Sequence, residues 1–134
     1  MEELEPGLVG ELTVVVTKEI TAAAFSSGLV AAFATPSMVG LMENASVQAI
    51  KNTLSPGQTS VGIEVNIKHF AATPIGMKVR ARSEVIDVDG RRVTFKVEAW
   101  DDKEKIGEGT HQRMVVDEAK FNERFKQKMQ SGKI

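Results

Sequence analysis

The stretch "TPSMVGLMENASVQAIKNTL", residues 35–54, decides how this chain folds. Thr35 reads as an N-cap and Pro36 as the first helical residue, where its missing N–H costs nothing. "SPG" at residues 55–57 ends the helix. With 100° per residue and Met38 at zero, Leu41, Met42, Ala45 and Ala49 fall within about 60° of it. Asn44, Gln48 and Lys51 gather between about 220° and 280°, a narrow solvent side. A helix this apolar needs cover over most of its circumference.

The cover is written downstream, where the period changes from helical to alternating. Residues 59–70 and 77–88 read as strands, and "DVDG" at residues 87–90 as a hairpin turn into a third strand, residues 91–100. "DDKEK" makes the next turn, before a last strand over residues 106–116. Ahead of the helix, residues 11–17 form a strand with Leu12, Val14 and Val16 on one face, and the alanine-rich residues 21–34 read as partly helical. Asp117 caps a short C-terminal helix that carries Phe121 and Phe125 on one face. No repeat, low-complexity linker or charge block splits the chain, so residues 1–134 are expected to form one α+β domain, an antiparallel sheet wrapped around a long helix.

Composition narrows the function. A net charge of -1 gives no argument for a nucleic-acid or membrane surface. No apolar run reaches the roughly 18 residues of a membrane span, and the acidic start MEELEP lacks a signal peptide's basic region. With no cysteine there is no disulfide, thiol nucleophile or thiolate metal site, and a cytoplasmic location is the simplest reading. The chain also lacks a G-x-S-x-G elbow, a P-loop and a G-x-G-x-x-G turn. Its two histidines do not have the H-E-x-x-H spacing of a helical metal site.

Two titratable residues stand where aliphatic ones are expected. Glu43 falls near 140° on the wheel, between Ile50 at about 120° and Leu54 at about 160°. A carboxylate there is costly unless paired, and burial raises its pKa. It either serves chemistry, reaches solvent at the helix edge, or pairs with a structural arginine. Strict alternation puts Val61, Ile63, Val65, Ile67 and His69 on one face of their strand. His69 either caps the core or lines a pocket at its edge. Together, a carboxylate and an imidazole are the parts needed for general-base or nucleophilic chemistry. The Thr35 hydroxyl lies at the positive end of a helix, where an anion or carbonyl oxygen is favoured. Gly62 in mid-strand marks a bulge or a close backbone approach, with ligand contact the sharper option. His111 has no acidic partner in sequence and reads as structural or interfacial.

These motifs resemble a known family. "ATPSMVGLMENAS" (residues 34–46), "TSVGIEVNIKHFAATPIG" (residues 59–76) and "IGEGTHQRMVV" (residues 106–116) look like the hotdog-fold thioesterases typified by fluoroacetyl-CoA thioesterase. The resemblance covers nearly the whole chain. Thr35, Glu43 eight residues later and His69 a further 26 on match the family's threonine, glutamate and histidine, and Gly62 matches its active-site glycine.

The resemblance implies a hotdog fold, a homodimer or dimer of dimers with active sites at the subunit interface, and hydrolysis of acyl-CoA to free acid and CoA. Glu43 would be the nucleophile or the base that activates water, and His69 would transfer protons. Thr35 would hold Glu43 or the thioester, and Gly62 would offer backbone groups to the carbonyl or the water. No cofactor is implied, CoA being part of the substrate. One departure bears on the acyl group. The fluoroacetyl-specific pattern has a phenylalanine gate before the TP motif, where this chain reads "FSSGLVAAF" (residues 25–33). Ser26 and Leu29 stand where bulky aromatics are expected, with Phe25 and Phe33 nearby. The expectation is a short- or medium-chain acyl-CoA, with no fluoroacetyl preference carried over. Arg80, Arg82, Lys96 and Arg113 are candidates for CoA phosphates or merely solvated strand-face charges. The alternatives are a non-catalytic acyl-CoA-binding hotdog module, acting as sensor or carrier, and a hotdog dehydratase or hydratase. The Thr-Glu-His spacing favours the thioesterase.

Overall fold

The computed structural model describes residues 2–24 and 30–131. In chain order it contains β1 (Val9–Val15), a 3-10 turn (Lys18–Ile20), α1 (Thr35–Ile50) with a 3-10 extension (Lys51–Thr53), β2 (Gln58–His69), β3 (Lys78–Asp89), β4 (Arg92–Trp100), β5 (Lys105–Asp117) and α2 (Glu118–Ser131). The strands form one antiparallel sheet in the order β1-β3-β4-β5-β2. This is the helix-in-sheet architecture that the hotdog resemblance implies.

The apolar stripe of α1 and the alternating strands meet as their periods require. Met38, Met42, Ala45 and Ile50 are fully buried with Val79, Val85, Val93, Phe95, Val97 and Ala99 in one core. In β4, the alternate residues Lys96, Glu98 and Trp100 lie toward the outer face. Asp89 pairs with Arg92, so the β3–β4 hairpin turns on two residues. The first of them, Gly90, sits at φ 61°, a left-handed conformation that glycine adopts without a Cβ clash.

Three expectations are corrected. Residues 21–34 contain no helix among their described members. Instead Thr21 bridges to Phe33 and Ala32 to Pro74. The Phe33 amide donates to the Thr73 carbonyl and the Ala34 amide to the Ile20 carbonyl, so tertiary pairing overrides the helix propensity of alanine. Phe25, Ser26 and Leu29, the gate positions, lie outside the described residues. Second, the same pairing keeps the chain extended up to Ala34, which is the N-cap. Thr35 is the first helical residue, and its side chain makes no cap.

The third correction concerns the faces of β2. Its register with β5 shifts between Gly62 and Glu64, leaving Ile63 as an extra, bulged residue. Beyond the bulge, Val65, Ile67 and His69 pair with His111, Gly109 and Gly107 and face inward as expected. Before it the parity reverses. Gly62 pairs with the inward Arg113, while Val61 pairs with Met114 on the outer face. An alternation assumed unbroken puts Gly62 on the wrong side.

Candidate active site

α1 runs along β2 in the opposite direction, so its start meets the end of β2 and its middle meets the bulge. At the first junction, Thr35 Oγ1 lies 2.8 Å from His69 Nδ1 in a hydrogen bond. Phe33 packs edge-on to the His69 ring at 6.5 Å between centroids. Phe33, His69, Phe70, Ala71 and Ala72 line a shallow cavity of about 280 Å³. Nε2 of His69 is buried without a hydrogen-bond partner among the described residues. Burial holds the imidazole below its ordinary pKa, with the Ala71 backbone opposing, so the ring is neutral near pH 7 and able to accept a proton.

At the second junction Glu43 faces Gly62. Its Oε2 lies 3.5 Å from Arg113 Nη1. The expected aliphatic surroundings of Glu43 are therefore replaced by a guanidinium, and the carboxylate side chain keeps 39% exposure. Arg113 is nearly buried and fixed at several points. Its Nε donates to Ser60 Oγ at 2.8 Å, and Nη2 donates to the Ser60 carbonyl at 3.0 Å. Nη1 donates to His111 Nε2 at 3.2 Å.

His111 stacks on Phe95 and donates from Nδ1 to the Glu64 carbonyl at 2.7 Å. A carbonyl can only accept and a guanidinium can only donate, so this ring must be neutral with its proton on Nδ1. Burial lowers its pKa, and the Arg113 charge lowers it further. The guanidinium stays charged, although its burial also lowers its pKa.

The structure thus joins Thr35 to His69 and Glu43 to Gly62. No hydrogen bond links the two pairs among the described residues. Eight residues of helix separate Thr35 from Glu43, about 12 Å along the axis. Sequence reading missed Ser60 altogether; it read His111 as structural or interfacial and Arg113 as a CoA-phosphate candidate or a solvated charge, without joining either to Glu43. The signal was present in "HQR", two bulky polar residues on one face of a strand, but the buried partners that give it meaning come from α1 and β2. No group of 3 or more metal-ligating side chains is placed to hold an ion among the described residues.

The family model for the fluoroacetyl-CoA-specific thioesterase matches residues 16–119, which contain both clusters. The chain belongs to this thioesterase family. It is a hydrolase of the thioester-cleaving class with the hotdog fold. The fluoroacetyl-CoA thioesterase of Streptantibioticus cattleyicolor is 45% identical over 100 residues, spanning 75% of this chain and 72% of that one. A solved structure of a fluoroacetyl-CoA thioesterase superposes with a TM-score of 0.87 at 36% identity, covering 95% of this chain and 98% of the other. A hot-dog-like protein from Thermanaerovibrio acidaminovorans shares the fold alone, with TM-score 0.85 at 23% identity over 92% of this chain and 91% of that one. Within the thioesterase family, this chain thus has a Thr-His pair and a Glu-Arg pair set apart along α1, which contributes Thr35 and Glu43, while β2 and β5 contribute His69 and Arg113.

Proposed function

We propose that the protein hydrolyses short- or medium-chain acyl-CoA thioesters at a site built from Thr35, Glu43, Gly62 and His69. The observation that carries the reading is the 2.8 Å contact between the Thr35 hydroxyl and a neutral imidazole nitrogen. A related fluoroacetyl-CoA enzyme variant solved in complex with acetyl-CoA supports a CoA ester as substrate.

In the acylation step, Thr35 Oγ1 bonds to the thioester carbonyl carbon and its proton passes to His69 Nδ1. The C–S bond then breaks, and the CoA sulfur leaves with the proton from His69. Water adds to the resulting Thr35 ester and gives its proton to His69. The bond from the acyl carbon to Thr35 Oγ1 then breaks, Oγ1 takes the proton back from His69, and the free acid departs. Glu43 and the Gly62 backbone hold that water. A second reading, in which Glu43 itself attacks the thioester or activates water on it, draws support from the partly exposed carboxylate beside Gly62. No cofactor enters either route.

One chain does not bring the two clusters together, and a second copy supplies what is missing. β2 is a long edge strand with exposed Ile63 (47%) and Val65 (44%), an open template for pairing. Antiparallel pairing of β2 with its copy, about a two-fold axis at Asn66 and with Ile63 as the extra residue, sets Gly62 of one chain opposite His69 of the other. The proposal therefore includes a homodimer, or a dimer of such dimers, working in the cytoplasm. Nucleic acid and membrane are not among the proposed partners.

The test is thiol release from a panel of acyl-CoAs, acetyl to long-chain and aryl, with wild type beside Thr35→Ala and Glu43→Ala. Turnover that both variants lose supports the site, and mass analysis of quenched enzyme separates an acyl-Thr35 from an acyl-Glu43. An enzyme that binds the esters and releases no thiol from any is a sensor or carrier.

A further inference from the structure

The outer face of the sheet carries a pocket that the hydrolytic site does not use. It lies where α2 leaves β5, has a volume of about 310 Å³, and is lined among others by Arg91, Met114, Asp117, Lys120, Phe121 and Arg124. That volume is at the lower end of small-molecule sites, which run from roughly 300 to 1,000 Å³. Three cations and one carboxylate give the lining a net charge of +2. Asp117 sits between two of the cations, 3.4 Å from Arg91 and 3.7 Å from Lys120, and Arg124 has no ion-pair partner among the described residues. Beside the charges lie apolar surfaces: Met114, and the Phe121 ring held edge-on by Phe125 at 4.8 Å. Cations next to an apolar wall and an aromatic face suit a ligand that is both aromatic and polyanionic.

We infer that this pocket holds the adenosine 3′-phosphate 5′-diphosphate end of the CoA ester, an inference that rests on the acyl-CoA reading above. The position fits. Met114 follows Arg113 in β5 and pairs with Val61, the neighbour of Gly62, so the pocket floor lies directly behind the Glu43–Arg113 cluster. The pantetheine arm then passes round the start of β2, where Gln58 pairs with Asp117 of the pocket lining. The phosphates meet Lys120, Arg124 and Arg91, and the adenine lies against Phe121 and Met114. The Lys120 side chain is 82% exposed, so its neutralisation does not disturb the core.

The experiment compares wild type with the double variant Lys120→Gln, Arg124→Gln. Calorimetry measures adenosine 3′,5′-bisphosphate binding, and thiol release is measured with one acyl group on CoA and on pantetheine. Losing two charged contacts should weaken nucleotide binding about tenfold or more and raise KM for the CoA ester alike. The loss is confined to ligands that carry the nucleotide, and shrinks at high salt. Equal binding of the nucleotide by both proteins, or an equal KM change on both esters, overturns the pocket while leaving the thioesterase intact. Nucleotide binding that the variant loses, in a protein that hydrolyses neither ester, supports the pocket and overturns the hydrolytic reading instead.

Discussion

Glu43 Oε2 and Arg113 Nη1 face each other at 3.5 Å, across a space that residue 62 leaves open by having no side chain. A Cβ on Gly62 would stand 3.0 Å from Glu43 Oε2, 3.3 Å from His111 Cε1 and 3.5 Å from Arg113 Nη1. Gly62→Ala should therefore displace the carboxylate, a flexible side-chain end, while the strands stay paired. Turnover is expected to fall about tenfold or more for a displacement of well under 1 Å, with little change in Tm. Thiol release and thermal unfolding on one preparation check this, and full activity in the variant would place the chemistry elsewhere.

Thr35 separates a structural hydroxyl from a reacting one. It makes no helix cap, so Thr35→Ala should leave the unfolding midpoint close to wild type. The rate should fall by roughly 10²–10⁴ through loss of the nucleophile that His69 deprotonates. Thr35→Ser keeps the hydroxyl and should keep measurable turnover. Equal rates for the two variants would remove Thr35 from the reaction.

A site shared between chains predicts complementation. Thr35→Ala and Glu43→Ala are each expected to be inactive alone. Unfolded together and refolded in equal amounts, they should regain about a quarter of wild-type activity, since half the dimers are mixed and each mixed dimer has one intact site. If no activity returns although mass spectrometry shows mixed dimers, both clusters act within one chain.

Arg113 is tied to Glu43, His111 and Ser60, so its removal leaves several polar groups unmatched. Arg113→Ala should cost about 2 kcal/mol by denaturant unfolding, discounted because Glu43 is partly solvated. Arg113→Lys should recover little of this, because an ammonium cannot reach Ser60 Oγ and the Ser60 carbonyl with a planar fork. A lysine variant as stable as wild type would show that only the charge matters.

Both histidines have pKa values lowered by burial from 6.5. In the native state they therefore stay neutral to lower pH than in the unfolded chain. Between these values the unfolded chain binds more protons, so the contribution to stability is complete above about 6.5 and is lost as the pH falls through the folded values. Chemical denaturation at pH 7.5 and at steps down to 5 should show this decline, weakened in His111→Gln. The acid limb of kcat/KM should have its midpoint below 6.5, set by His69 as base. A midpoint above that value would assign the limb to another group.

Local periodicity determined much of this molecule. The apolar circumference of residues 35–54 and the alternation that follows specify a wrapped helix, because each period buries its own face. The oddity of Glu43 and His69 was visible for the same reason: a charge or an imidazole on an apolar stripe needs a partner. Those partners were decided only by the tertiary structure. A β-bulge exists between two strands, so the residues of β2 alone could not show that Ile63 is the extra one and that Gly62 and Ser60 turn inward. The opposite courses of α1 and β2 give Thr35 to His69 and Glu43 to Gly62, and the pairing of β2 with β5 brings Arg113 to Glu43, so the Thr35–His69 and Glu43–Arg113 contacts join residues 34 and 70 positions apart. Spacing along the chain named the residues that needed partners, and the packing of one element on another chose them.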